Sequence, residues 1–507
     1  MFFFVLFKTH SFLYDGEIMK QILSFVLIGL VLTTAALAGP HYVAPDGPGP
    51  APFLDWEHAA ANIQDAVKAA DRFDDTVIVS NGTYTLGGTN NRCVYISQKT
   101  GLVVQAVSTN PEDTIIVGAP DPSSGNFGAD ATGGIYIGYS DRITISGFTI
   151  SNGYGSDGGG ILGGVSANLI LITNCHIVNC MASRYGGGAY GNNYPFPYTN
   201  FVISRCSFLN NTATGAVPVA TANGGRGGGA CWAYLTNCLV EGNYATNYGG
   251  GAYYGYLINS IVRNNSTFSS GGGQMYGEAF NCLFENNKTF EIYNYSYGGG
   301  GASACSVLSN CVFIGNTSYY GGAVSLPSNA KFINCLVASN YAYIGSALHL
   351  DYNAARTNIQ IVNCTIAYNQ SATGAAIREK VPLSSLNFIN SIIWNNYNNS
   401  GGGGVVSNWS CGQYGGLYTF ANTCTLPLPT GATTNLGGNI NQDPQFVDPE
   451  SNFHLAGNSP CINTGSNQPW MDGTFDRDGR HRIDGFSGIV DMGCYEYVFR
   501  GMKFTVR

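Results

Sequence analysis

A chain of 507 residues with 69 glycines, 32 tyrosines and only 10% charged residues is not disordered, because disorder goes with charge-rich, aromatic-poor composition. Its formal charge of −8 supplies no basic field for a phosphate backbone, which excludes nucleic acid as an expected partner. The length has room for several domains, yet a solenoid can use all of it as one body.

Met19-Lys20, an apolar run from Ile22 to Leu32, and Thr33-Thr34-Ala35-Ala36-Leu37-Ala38 have the layout of a secretory signal ending in Ala-x-Ala. Residues 1–38 are therefore expected to be removed on export, with translation starting at Met19. No later stretch is apolar enough to span a bilayer. An exported chain with 15 cysteines invites disulfides, but the count is odd and most of the cysteines recur in step with a repeat. Buried thiols are the expectation, with pairing between neighbouring copies left open.

Residues 39–75 read as an N-terminal cap. Trp56, Ala59, Ile63, Ala66, Val67 and Ala70 share one helical stripe, an amphipathic helix suited to plugging the open end of a stack. Thr76 to Val79 reads as the first strand.

From about residue 135 to 400 a repeat dominates. Its marker is Asn174-Cys175, Arg205-Cys206, Asn237-Cys238, Asn259-Ser260, Asn281-Cys282, Asn310-Cys311, Asn334-Cys335, Asn363-Cys364 and Asn390-Ser391. Two residues after each Cys or Ser lies an apolar side chain, such as Val240, Val262 or Phe284, so both share an inward strand face. Five residues after the Cys or Ser comes Asn211, Asn243, Asn265, Asn287, Asn316, Asn340, Asn369 or Asn396, with Cys180 in the first copy. Upstream sit glycine clusters, among them Gly227 to Gly229 and Gly249 to Gly251, read as turns needing positive φ or close stacking.

The shortest interval is 22 residues, Cys238 to Ser260 to Cys282. Several short strands per period and no helical pattern fit one coil of a right-handed parallel β-helix over residues 76–400. The Leu-x-x-Leu-x-Leu pattern of leucine-rich repeats is absent, and propeller blades need about 40 residues. Coils ~4.8 Å apart turn like residues into columns, with small Cys/Ser groups inside and an Asn column passing amide hydrogen bonds from coil to coil. Residues 401–507 leave the repeat and are expected to close the solenoid; there Cys411 with Cys424, and Cys461 with Cys494, could pair.

Phe208 to Asn211, Phe284 to Asn287 and Phe313 to Asn316, with Gly-Gly-Ala-Tyr and Gly-Gly-Ala-Val, resemble the motifs of the chlamydial polymorphic outer-membrane protein repeats. The segment His41 to Gly47, the helix with Asn62 to Val67, and Asn81-Gly82-Thr83-Tyr84 resemble the cap of pectate-lyase-like β-helix proteins. Asp443 to Pro449, Ser459 to Gly465, Asp476 to Gly479 and Val490 to Tyr497 resemble the choice-of-anchor Q domain of bacterial surface proteins. Together these resemblances imply fold and export, and say little about activity.

Two outward columns carry candidate chemistry. Glu241, Arg263 and Glu285, at steps of 22 residues, stack carboxylate, guanidinium, carboxylate. In a polysaccharide lyase Arg263 would neutralise a substrate carboxylate, or Ca²⁺ would do so with an Arg or Lys as base; the plainer reading is a surface ion-pair ladder. Trp232, Tyr254 and Tyr276, followed by Tyr234 and Tyr256, form an aromatic column suited to stacking sugar rings if it points out. Its parity is inferred from Tyr190, Cys231, Tyr253, Met275, Val324 and Leu348, taken as the intervening buried file.

Inverting glycosidase chemistry needs Asp residues grouped on adjacent coils, and Asp is scarce in the repeats. His176, His349 and Asp351 are isolated, and no metal site is expected. The expectation is a monomeric, exported or cell-surface protein that binds an extracellular polysaccharide or other surface polymer without a cofactor. The alternative is a lyase acting on an acidic glycan such as pectate or alginate, with Ca²⁺ as its possible cofactor.

Overall fold

The computed structural model describes residues 39–498 apart from 86–89, 192–199, 216–223, 291–297, 351–357, 380–384, 401–403, 412–416, 431–432, 484 and 486. Residues 1–38, expected to be a secretory signal, and Asp351 lie outside the described residues.

One 22-residue coil shows the plan. A long strand, Ala230–Thr236, is followed by Leu239–Glu241 and Tyr244–Ala245, and the next long strand, Ala252–Ile258, begins one storey up. Each pairs in parallel with its counterpart: Ala230 with Ala252, Val240 with Val262, Tyr244 with Ser266. Continued along the chain, this gives three faces, here called the long sheet, the marker sheet and the ladder sheet. The molecule is a right-handed parallel β-helix, the hand that parallel crossovers take.

Each corner has its own residue logic. The marker asparagines turn the long strand into the marker sheet in the left-handed conformation, with φ 54° at Asn237, 49° at Asn259 and 55° at Asn281. Asparagine is the non-glycine residue that adopts it most cheaply. The following Cys or Ser points inward; the Cys238 backbone N–H donates to Ser260 Oγ at 3.1 Å, so Cys238, Ser260 and Cys282 stand in single file.

The second corner pairs a left-handed residue, such as Gly242 or Asn264, with a ladder asparagine. Asn265 Oδ1 accepts from the Asn243 backbone N–H at 3.0 Å and from its amide at 2.9 Å, while its own amide donates to Val240 O and Asn287 Oδ1. The ladder runs from Cys180, whose N–H donates to Asn211, through Asn396 to Asn408.

At the third corner the first glycine of each cluster needs positive φ, 64° at Gly249. The third needs room, since a Cβ on Gly251 would meet Gly273 O at 2.6 Å.

The solenoid is longer at both ends than the repeat suggests. Pro40–Val43 already pairs with Thr76–Val79, inside the segment assigned to the cap. At the other end Leu417–Ala421 pairs with Ser385–Ile389, and Thr433–Asn435 pairs with Leu417–Ala421, so coiling ends near residue 435 and not at 400. The capping helix spans only Ile63–Ala69, N-capped by Asn62, and buries Ile63, Ala66 and Val67. Trp56 lies outside it, exposed and packed on Tyr42.

The described residues between 441 and 498 form a strap along the flank of the last coils, covering the outside of the marker sheet, where residues 401–507 were expected to close its end. Phe453 and Cys494 pack on Val312, Leu336, Ala338 and Ala367. Leu455, Cys461 and Met492 pack on Ile392, Trp394 and Cys424. The corner asparagines hold it: Asn334, Asn363, Asn390 and Asn422 donate to the carbonyls of Phe475, Asp491, Ser466 and Thr464. All 15 cysteines are free thiols. Cys424 lies against Cys461 and Cys494 beside Thr365, not in the two pairs the spacing suggested.

Candidate functional site

The aromatic column belongs to a kink in the long strand. Trp232, Tyr254 and Tyr276 take left-handed conformations, with φ 51°, 47° and 60°, which split each long strand into two straight halves. The residue before the kink points outward: Tyr190, Cys231, Tyr253 and Met275 pair in register and form a cluster separate from the interior core. This corrects the parity argument. Val324 and Leu348 register with Ala302 and Ala252 in the inner file, because Ala323 takes the place of the third glycine and a count from the last glycine misplaces these copies by one residue.

Trp232, Tyr254 and Tyr276 are half-buried and lie on that outer cluster. Tyr254 and Tyr276 stack with centroids 4.5 Å apart, and Trp232 lies 6.5 Å from Tyr254. Tyr234 and Tyr256 stack at 5.4 Å, but Tyr234 is only 3% exposed. Tyr234 therefore offers no ring face to solvent.

A third file, unrecognised in the sequence, completes the face. Tyr185, Arg226, Tyr248 and Ser270 bridge in register, each occupying the position just before a glycine cluster. That shared position is the signal that could have found them. The Arg226 guanidinium lies over the rings of Tyr185, Tyr248 and Tyr253 at 5.7, 5.4 and 5.3 Å, and its Nη1 donates to Tyr253 Oη at 3.2 Å. At one edge Arg184 is ion-paired with Asp157. Burial pushes the Tyr190 and Tyr253 hydroxyls up, even with Arg226 beside Tyr253. They stay protonated and act as hydrogen-bonding groups, not as bases.

Glu241, Arg263 and Glu285 register on the outside of the marker sheet. Arg263 Nη2 sits 2.8 Å from Glu241 Oε2, and Asn264 donates to the other carboxylate oxygen at 3.2 Å. The bond from Arg263 holds the Glu241 carboxyl below its usual range. Glu285 follows in register and adds a further attraction to Arg263. His176 is half-buried on the marker sheet, whereas His349 is fully buried 4.9 Å from the Tyr320 ring. Among the described residues no group of three or more His, Cys, Asp or Glu is placed to hold a metal ion, and no helix is long and apolar enough to cross a membrane.

No protein-family model matches the chain, and no curated protein matches it. Among solved structures it is similar to the pectate lyase Pel9A, at 13% identity and TM-score 0.34 over 91% of this chain and 97% of that one. It is also similar to a mannuronic acid specific family 6 polysaccharide lyase from human gut microbiota, at 13% identity and TM-score 0.34 over 69% and 81%. A third is XylC in complex with xylose, at 10% identity and TM-score 0.37 over 91% and 99%.

Proposed function

We propose that this chain is an exported or cell-surface β-helix that binds an extracellular polysaccharide on the Trp232, Tyr254 and Tyr276 face. One observation carries the reading. At other corners of the same coils the left-handed position holds Asn237, Asn259 and Asn281, or Gly242, Asn264 and Asn286, whereas at the kink it holds a tryptophan and two tyrosines. A bulky side chain there costs of order 1–3 kcal/mol, and such strain clusters at ligand sites. The rings then stand side by side at one-coil steps with tyrosine hydroxyls and Arg226 nearby, the mixture of flat apolar faces and polar groups that a sugar chain needs. Export by residues 1–38, repeats of the polymorphic outer-membrane type and a choice-of-anchor Q-like strap fit the same reading.

The test is retention of the mature chain in gels containing polygalacturonate or alginate. Replacing Trp232→Asn and Tyr254→Asn together should abolish retention while leaving the thermal midpoint within a few degrees. Unchanged retention overturns the reading. A second reading, a lyase acting on an acidic glycan, is favoured by the cations Arg184 and Arg226 beside the platform. It requires unsaturated products from polygalacturonate or alginate, assayed with and without Ca²⁺. Their loss in Arg263→Ala would assign Arg263 the charge-neutralising role, with Glu241 and Glu285 as its flanking carboxylates.

A further inference from the structure

The ladder sheet carries an aromatic file of its own. Ser266 pairs with Lys288, Lys288 with Thr317, and Thr317 with Tyr341. Two residues further along each coil this register aligns Phe268, Phe290, Tyr319 and Tyr343. Phe268 and Phe290 are each 44% exposed and Tyr343 is 43% exposed. Tyr319 and Tyr343 stack with centroids 4.7 Å apart.

Large apolar rings repeated on one outer face over four coils are not needed by the fold. Two preceding coils place Thr214 and Thr246 at the same position. Contiguous exposed apolar surface of this kind marks a binding surface. Alongside runs a parallel file of hydrogen-bonding groups, Tyr244, Ser266, Lys288, Thr317, Tyr341 and Gln370.

We propose that this strip is a second polysaccharide-binding surface, taking a neutral, flat, extended chain of β-1,4-linked pyranoses laid along the solenoid axis. The two files offer what such a chain presents: rings for the C–H faces of its sugars and polar side chains for its hydroxyl edge. Both repeat once per coil, ~4.8 Å, about the length of one pyranose in an extended chain. The charge pattern selects a neutral chain. Lys288, 4.9 Å from the Phe290 ring, and Glu450 at the far end are of opposite sign, whereas the Trp232 face carries Arg184 and Arg226. At that far end Ser339, Tyr341, Tyr368, Gln370, Pro449 and Glu450 enclose a hollow of about 290 Å³, which seats a chain end.

The experiment uses the mature chain with microcrystalline cellulose in a sedimentation assay and cellohexaose in calorimetry. Wild type should bind both. Phe268→Ser, Phe290→Ser and Tyr343→Ser combined should weaken binding at least tenfold with the thermal midpoint nearly unchanged. The Trp232→Asn and Tyr254→Asn variant should bind cellulose as wild type does, which separates this face from the first. Three results overturn the proposal: no binding of either probe by wild type, full binding by the triple variant, or a shift from dimer to monomer on making it. The last would show that the strip is covered by a second copy of the chain. Phe268→Ser alone, with about a threefold loss expected, guards against a misfolded triple variant.

Discussion

Asn265 shows how much one side chain can hold in a stack. Its amide joins four hydrogen bonds, three to the coil before (the Asn243 backbone N–H, the Asn243 amide and Val240 O) and one to Asn287 of the coil after. Replacing it with alanine leaves buried donors on Asn243 without an acceptor, at about 1–3 kcal/mol for each group stranded. Asn265→Ala is therefore expected to lower stability by about 3 kcal/mol in a denaturant titration. Asn259→Ala, at an exposed corner whose φ is 49°, should cost about 1 kcal/mol. The cysteines behave as core residues at this scale. Burial pushes Cys238 and Cys494 up to about 12, and Cys411 alone is only half-buried. A thiol reagent at pH 8 should label at most one cysteine per native chain and all 15 in denaturant; rapid labelling of several native thiols would contradict the buried column.

Among elements, the kinked long strand and the strap make opposite demands. Asparagine in place of Tyr254 relieves a left-handed tyrosine while losing ring packing. The expected net change is within about 1 kcal/mol, where a buried aromatic ordinarily costs 3–5 kcal/mol on truncation. In the strap three buried carboxyls, Asp476, Asp491 and Glu496, gather around Arg482. Arg482 Nη1 lies 2.9 Å from Glu496 Oε1, yet burial raises the Glu496 carboxyl to about 8, since one guanidinium cannot offset three carboxylates. The folded value lies above the unfolded one, so this group's contribution is full below about pH 4.5 and is lost as pH rises through about 8. The thermal midpoint of the strap should fall between pH 5 and pH 8.5, and Glu496→Gln should flatten that slope. The repeat itself was legible because every coil restates it: the Cys/Ser file, the Asn ladder and the glycine clusters recur at fixed offsets. Faces were harder to read, since a single left-handed residue at 232, 254 or 276 resets the two-residue alternation. The Phe268 file escaped because neighbouring copies differ in length just beyond it. The strap's seat rests on pairs such as Asn334 with Phe475, 141 residues apart, which no period encodes.

For the whole molecule, stacking makes sequence distance of about two dozen residues into contact, so each coil answers mainly to its neighbours. The three flanks are then free to differ: one bears the Arg226 cluster, one the Phe268 strip, and the third carries the strap over its last coils. A solenoid built this way should lose stability locally when one flank is stripped. Ending the chain at residue 440 uncovers Val312, Leu336, Ile392 and Trp394, now buried against the strap, at about 2 kcal/mol for each large apolar side chain exposed. It also removes the carbonyl acceptors of the corner amides of Asn334, Asn363 and Asn390. The shortened chain is expected to keep its β far-ultraviolet signal, bind a hydrophobic dye, and exchange amide hydrogens faster across residues 310–424. Coils before residue 290 should exchange as in the full chain. Uniform loss of protection from end to end would mean that the strap stabilises the stack as a single cooperative unit, and that coils on opposite halves of the solenoid are coupled far more tightly than nearest-neighbour stacking allows.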